Sequence, residues 1–127
     1  MKLYIDRSSA ELLTTEVRVK LGTRIRLDVV FTEGGRPVAL EAGATGRLAA
    51  KSAFIDATYS LDAPTWTPGA SAGAYTFAVN VDDAGLIARF TDQPELAFIA
   101  EIEWREGGCI YKTPTFRLIV QNRVITE

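Results

Sequence analysis

Alternating apolar and polar positions dominate this chain, and the clearest run covers residues 95–120. Its apolar members share one face of an extended strand: Leu96, Phe98, Ala100, Ile102 and Trp104. Charged residues take the alternate positions: Glu101, Glu103 and Arg105. Gly107 and Gly108 predict a tight turn, after which Phe116, Leu118 and Val120 resume the alternation. A period of two is typical of a half-buried antiparallel sheet.

The same period recurs in shorter segments along the chain. It predicts strands at residues 16–20, 23–32, 47–54 and 75–81, and a short strand or arm at residues 2–5. Residues 82–90 are the one helical candidate, because Asp82 can cap a helix and Leu86, Ile87 and Phe90 share a helical face. A proline- and glycine-rich loop surrounds Trp66 at residues 63–74.

Short strands with turn signals between them predict an all-β fold in a single domain over residues 1–127. We expect an antiparallel immunoglobulin-like β-sandwich with at most one short helix. Its two sheets would bury the in-register apolar residues between them: Leu27, Val29, Phe31, Phe77, Val79, Phe98, Ile102, Trp104, Phe116 and Leu118.

Composition removes most catalytic and metal chemistry. The chain has no histidine and one cysteine, Cys109, so it cannot form a Ser-His-Asp triad, a Cys-His pair or a histidine-ligated metal site. We therefore predict no enzymatic activity, no metal and no cofactor. A net charge of −2 also argues against nucleic-acid binding, which needs basic residues to neutralise phosphates.

The chain shows no signal peptide, and no apolar run approaches the roughly 20 residues that span a bilayer. We therefore expect no membrane association. The bacterial cytoplasm is the expected location, and a protein carried in a virion would look the same, because virions also assemble there.

Three groups of residues are candidates for function. Leu3, Tyr4 and Ile5 form an apolar stretch at the N-terminus that could dock on its own sandwich or on a neighbouring subunit. Trp66 could form an aromatic platform for a sugar, or cover one end of the sandwich. Glu101 and Glu103 share a strand face at about the carboxylate spacing of glycosidases, although their alternation with apolar residues is typical of a solvated face.

Three stretches, in this order, resemble the N-terminal domain of phage baseplate upper proteins. The first is the strand TRIRLDVVF at residues 23–31, followed by EGGRPVAL at residues 33–40. The second is GRLAAK at residues 46–51. The third is FIAEIEWREGG at residues 98–108, followed by TPTFRLIV at residues 113–120.

The resemblance implies a non-catalytic structural or assembly domain of a phage or prophage particle, in the tail or baseplate. It would act through protein–protein contacts, with protein partners in a particle or with further copies of itself. A carbohydrate-binding module is the alternative, and a small sandwich enzyme of the glycosidase type is a third reading.

Overall fold

The computed structural model describes residues 2–12, 16–20, 25–51, 61–79 and 95–121. Within these ranges the chain forms eleven β-strands. The first five are β1 (Lys2–Asp6), β2 (Glu16–Lys20), β3 (Ile25–Glu33), β4 (Arg36–Pro37) and β5 (Thr45–Lys51). The other six are β6 (Leu61–Ala63), β7 (Thr67–Pro68), β8 (Ala74–Val79), β9 (Glu95–Glu106), β10 (Cys109–Lys112) and β11 (Phe116–Gln121). The helix predicted at residues 82–90 lies outside the described residues.

The strands form two sheets that pack face to face, which confirms the all-β sandwich. Sheet I has the order β1-β3-β8-β7, with β4 also paired to β3. Sheet II has the order β2-β11-β9-β5-β6, with β10 also paired to β9. The chain passes repeatedly between the sheets, since β1 lies in sheet I, β2 in sheet II and β3 in sheet I again. The immunoglobulin-like strand order stays a prediction.

Both sheets are mixed: the expected antiparallel pairing holds for most of the described strand pairs, and two pairs are parallel. β1 runs parallel to β3, with Leu3 in register with Val29, and β2 runs parallel to β11, with Val17 in register with Leu118. The physical reason is the crossing of the first strands between sheets. Parallel neighbours cannot be joined by a tight turn and need a crossover, and β2, in the other sheet, lies between β1 and β3 in the chain.

The core lies between the two sheets and is built from the inward positions of their strands. All ten residues predicted to be buried are buried, and the largest of them are Phe31, Phe77, Phe98 and Trp104. Leu3 and Ile5 of β1 join this cluster, and neither is exposed to solvent. The apolar N-terminus therefore docks on its own sandwich and supplies part of the core.

The β9–β10 hairpin turns at Gly107 and Gly108, as the sequence predicts. Both glycines have positive φ, 58° and 78°, which suits the two-residue turn that matches strand twist. After β10 the chain bends at buried Thr113. The Thr113 N–H donates to the Ile102 carbonyl at 2.9 Å, and its Oγ1 accepts from the Ile102 N–H at 3.1 Å. These two bonds continue the ladder along β9 between β10 and β11.

The opposite burial of neighbouring residues in β1 gives a first prediction. Leu3→Ala should lower the free energy of unfolding by about 2–5 kcal/mol, because it opens a cavity in the core. Tyr4→Ala, on the outer face, should cost much less, since its side chain is 39% exposed. Urea unfolding followed by tryptophan fluorescence measures both. Equal, small losses for the two variants would mean that β1 does not contribute to the core.

Candidate interaction site

One cavity lies on the outer face of sheet I, and we call it the Tyr4 groove. It has a volume of about 330 Å³. Tyr4 on β1, Val30 on β3 and Ala74 on β8 lie side by side in register across its floor. The loop at residues 69–72, composed of Gly, Ala, Ser and Ala, forms one wall. The groove exists because these residues are small while the Tyr4 ring stands beside them.

A single carboxylate marks one part of this groove. Asp28 and Thr76 lie in register on β3 and β8, and the Thr76 hydroxyl donates to Asp28 Oδ1 at 2.8 Å. This bond fixes the carboxylate while its second oxygen, Oδ2, accepts no hydrogen bond from any residue that the structure describes. The groove therefore combines an apolar floor with one available acceptor.

The outer face of sheet II differs, because it is covered by ion pairs. Arg18 bonds Glu16 at 3.3 Å and Glu95 at 2.9 Å, and Arg117 bonds Glu16 at 3.2 Å. Two further cavities, of about 210 and 230 Å³, open on or beside this face. Arg47 lines both of them and pairs with Asp62 at 2.9 Å. Acidic and basic side chains on this face largely neutralise one another.

Glu101 and Glu103 lie on this charged face and line the 210 Å³ cavity beside Lys51 and Lys112. Glu103 also forms ion pairs with Arg105 at 3.5 Å and with Lys112 at 3.9 Å. This arrangement is the solvated, charge-paired face that the alternation of the strand favours. Both carboxylates project from one strand on an open face, whereas those of a glycosidase flank the bond that is cleaved.

The β9–β10 hairpin provides an exposed sheet edge. All four residues of β10 are exposed, and Ile110, at 56%, is the most exposed large apolar side chain in the described part of the chain. The pair that flanks a two-residue turn, here Glu106 and Cys109, is hydrogen-bonded, so the backbone groups of Ile110 and Lys112 point away from β9. Among the described strands β10 pairs with β9 alone.

Tyr111 lies on the inward face of the same hairpin and stacks on Trp104, with ring centroids 5.2 Å apart. The neighbouring Cys109 thiol raises the pKa of the Tyr111 phenol. Cys109 itself is exposed, so it does not fill the core. The sequence predicted the turn of this hairpin but not the strand that follows it.

The other site residues predicted from sequence lie in different places. Of the N-terminal three, Tyr4 lines the groove, whereas Leu3 and Ile5 are buried and present no side chain to a partner. Trp66 is half-buried and packs toward the core against Phe31, with centroids 5.7 Å apart. Tyr4 and Trp66 therefore do not form one site.

Trp66 is held in place by its neighbours. Its indole stacks on Tyr75 with centroids 4.1 Å apart, and its Nε1 donates to the Ala44 carbonyl at 3.3 Å. A methyl group added at Gly46 would overlap the six-membered ring of the indole. The ring is thus enclosed on several sides, and its geometry matches a cover for one end of the sandwich rather than an open platform.

An ion pair between the two sheets was missed from the sequence. Arg7, in the turn after β1, binds Glu106 at the end of β9 with two bonds: Nε to Oε1 at 3.1 Å and Nη2 to Oε2 at 2.7 Å. The Glu41 N–H also donates to Oε2, at 2.7 Å. Glu106 continues the inward register of Trp104, so an acidic residue at a core position was the available signal. We call this pair the Arg7–Glu106 clasp.

The clasp changes the acidity of Glu106. Burial alone would raise the pKa of this carboxyl, whose side chain is only 6% exposed. The hydrogen bonds from Arg7 and from the Glu41 N–H favour the charged form and outweigh burial, so the pKa of Glu106 is lowered. The folded structure therefore stabilises the ionised form of the Glu106 side chain.

The described residues contain no group of three or more cysteine, aspartate or glutamate side chains placed to bind a metal ion. They also contain no helix long and apolar enough to cross a membrane.

No protein-family model matches the chain. No curated protein matches it either. Among solved structures, the N-terminal domain of phage TP901-1 ORF48 is similar in fold, with 13% sequence identity and a TM-score of 0.49. The similarity covers 94% of this chain and 96% of that one. A likeness of this strength says nothing about function.

The clasp predicts acid-dependent stability. Glu106→Gln should lower the free energy of unfolding at pH 7 by about 1.5–3 kcal/mol, the range for hydrogen bonds to charged groups. Because the folded-state pKa is depressed, this contribution is present above about pH 4.5, the ordinary value, and is lost as the pH falls through the lower folded value. Urea unfolding between pH 7 and pH 3 should show the gap between the two proteins closing. A gap independent of pH would contradict this.

Gly46 and Trp66 give a test of the enclosed indole. Gly46→Ala should destabilise the fold by about 1–3 kcal/mol, because the added methyl overlaps the ring. In Trp66→Leu the obstacle is removed, so adding Gly46→Ala to it should cost less than in the parent chain. A double-mutant cycle by thermal unfolding measures the difference. Strict additivity would show that Gly46 and the indole are not in contact.

Proposed function

We propose that this chain is a non-catalytic structural domain that assembles with other proteins of a phage or prophage particle, in the tail or baseplate. It acts through protein–protein contacts, with particle proteins or with further copies of itself. The protein is located in the bacterial cytoplasm before assembly and in the virion afterwards.

The observation that supports assembly is the exposed edge of β10. An edge strand offers unpaired N–H and C=O groups to a strand of another chain, and proteins commonly blunt such edges with charges or proline. Here the one charged residue of β10, Lys112, pairs with Glu103, while Ile110 is exposed and apolar. An added strand would satisfy these backbone groups and cover Ile110, which is the mode of recognition known as β-augmentation.

A role in a phage particle is supported by three stretches that resemble phage baseplate upper proteins and occur in the same order along the chain. They lie at residues 23–40, 46–51 and 98–120. Each of these stretches includes all or most of a strand that is paired on both sides: β3, β5 and β9. An immunoglobulin-like connection of the strands belongs to the same proposal.

The carbohydrate-binding alternative loses its main support in the structure. It relied on Trp66, whose ring is stacked on Tyr75 and hydrogen-bonded to Ala44. No other described feature favours it over assembly.

Ile110→Lys tests the proposal directly. A charge at the centre of the edge should weaken association by about tenfold or more, equivalent to at least about 1.4 kcal/mol. Sedimentation velocity over a range of concentrations measures self-association. Biolayer interferometry with purified products of the genes adjacent to its own measures binding to other particle proteins.

Ala42→Lys, in an exposed loop, is the matched control and should leave association unchanged. Truncation of residues 1–6 is unsuitable, because it removes Leu3 and Ile5 from the core. A chain that stays monomeric at high concentration and binds none of the adjacent gene products would overturn the proposal.

A further inference from the structure

Among the described residues that line the Tyr4 groove, one is charged, and its charge is negative. That residue is Asp28. Asp28 forms no ion pair with any described residue, and its hydrogen bond to Thr76 uses Oδ1 alone. A positively charged group entering the groove would therefore meet a carboxylate that is already oriented.

The remaining lining is small and mostly apolar. Val30 is 8% exposed although it lies on the outer face, because Tyr4 and the loop at residues 69–72 rise around it. A volume of 330 Å³ is at the low end of the range for ligand sites and accommodates one or two side chains. The apolar floor favours a side chain such as valine or leucine over a sugar, which needs many polar contacts.

The other outer face does not offer the same chemistry. On sheet II, Arg18, Arg47 and Arg117 are already paired with acidic side chains. A charged partner would have to replace those pairs, and exposed pairs of this kind yield little free energy when exchanged. The unengaged charge on sheet I is the more specific point of attachment.

We propose that the Tyr4 groove binds an extended segment of a partner protein in which an apolar side chain lies beside a lysine or arginine. The apolar side chain packs on Val30 and against the Tyr4 ring, and the basic group pairs with Asp28. This inference rests on the proposed assembly function and gives it a second surface, distinct from the β10 edge.

The test uses the full chain and a synthetic peptide as the probe. The peptide has a central lysine flanked by valines, with threonine at both ends, and matched peptides carry glutamine or glutamate at the centre. Two-dimensional ¹H–¹⁵N NMR titration reports both the affinity and the residues that respond. We expect the lysine peptide to shift the amides of Val30, Ala74 and Thr76, and to bind more tightly than the other two.

Two variants separate the charge from the shape of the groove. Asp28→Asn keeps an acceptor for the Thr76 hydroxyl. It should lower the affinity for the lysine peptide by about two- to fivefold, the loss typical of one exposed ion pair. Ala74→Leu places a larger side chain on the floor of the groove and should lower the affinity for all three peptides.

Glu101→Gln, which removes a carboxylate from the other outer face, is the matched control and should change nothing. Equal binding of the lysine and glutamate peptides, or shifts confined to residues outside the groove, would overturn the inference. Stronger shifts with a linear glucose tetrasaccharide than with any peptide would also overturn it and would assign the groove to a glycan.

The two proposals fail in different ways. If the chain associates with particle proteins while Asp28→Asn and Ala74→Leu leave that association intact, the groove inference fails and assembly stands. If no association is seen with any partner, the assembly proposal is overturned, whether or not the peptide binds.

Discussion

The hydrogen-bond ladder along β9 is the interaction on which the rest of the structure depends. This strand has twelve residues and pairs with β5 along one side and with both β10 and β11 along the other. Its inward side chains, from Leu96 to Trp104, supply one wall of the core, and its last residue, Glu106, holds the opposite sheet through Arg7. A change in the register of β9 would move all of these groups to the wrong face.

The sequence predicted those parts of the fold that depend on local alternation. The turn at Gly107 and Gly108, the strands β2, β3 and β9, and the burial of large residues such as Phe77 follow from a period of two and from turn chemistry, which neighbouring residues determine. The pairing of strands, by contrast, could not be predicted from local alternation. The parallel pairing of β1 with β3 and of β2 with β11 depends on which sheet each strand enters, and no short pattern encodes that choice.

The candidate site likewise combines residues that the sequence predicted with contacts that only the tertiary structure reveals. Tyr4 was among the residues predicted, but the groove around it needs Val30, Ala74 and the loop at residues 69–72, which meet only after β1, β3 and β8 have paired. Trp66 was a reasonable aromatic candidate in a loop. Its stacking on Tyr75 depends on a tertiary contact that composition does not reveal. The clasp joins residues 99 positions apart, so only the inward register of Glu106 hinted at it.

The parallel pairing of β2 with β11 also constrains how the chain can fold as it is synthesised. β1 can meet β3 once the first third of the chain is available, whereas β2 has its partner only when residues 116–121 have formed their strand. Until then β2 lacks its neighbour in sheet II. The Arg7–Glu106 clasp likewise cannot close before residue 106 has been synthesised. Contacts between such distant segments are slow to form because a long loop must be ordered first. β2 and β11 therefore take their places in sheet II together, and the pairing waits for the synthesis of β11.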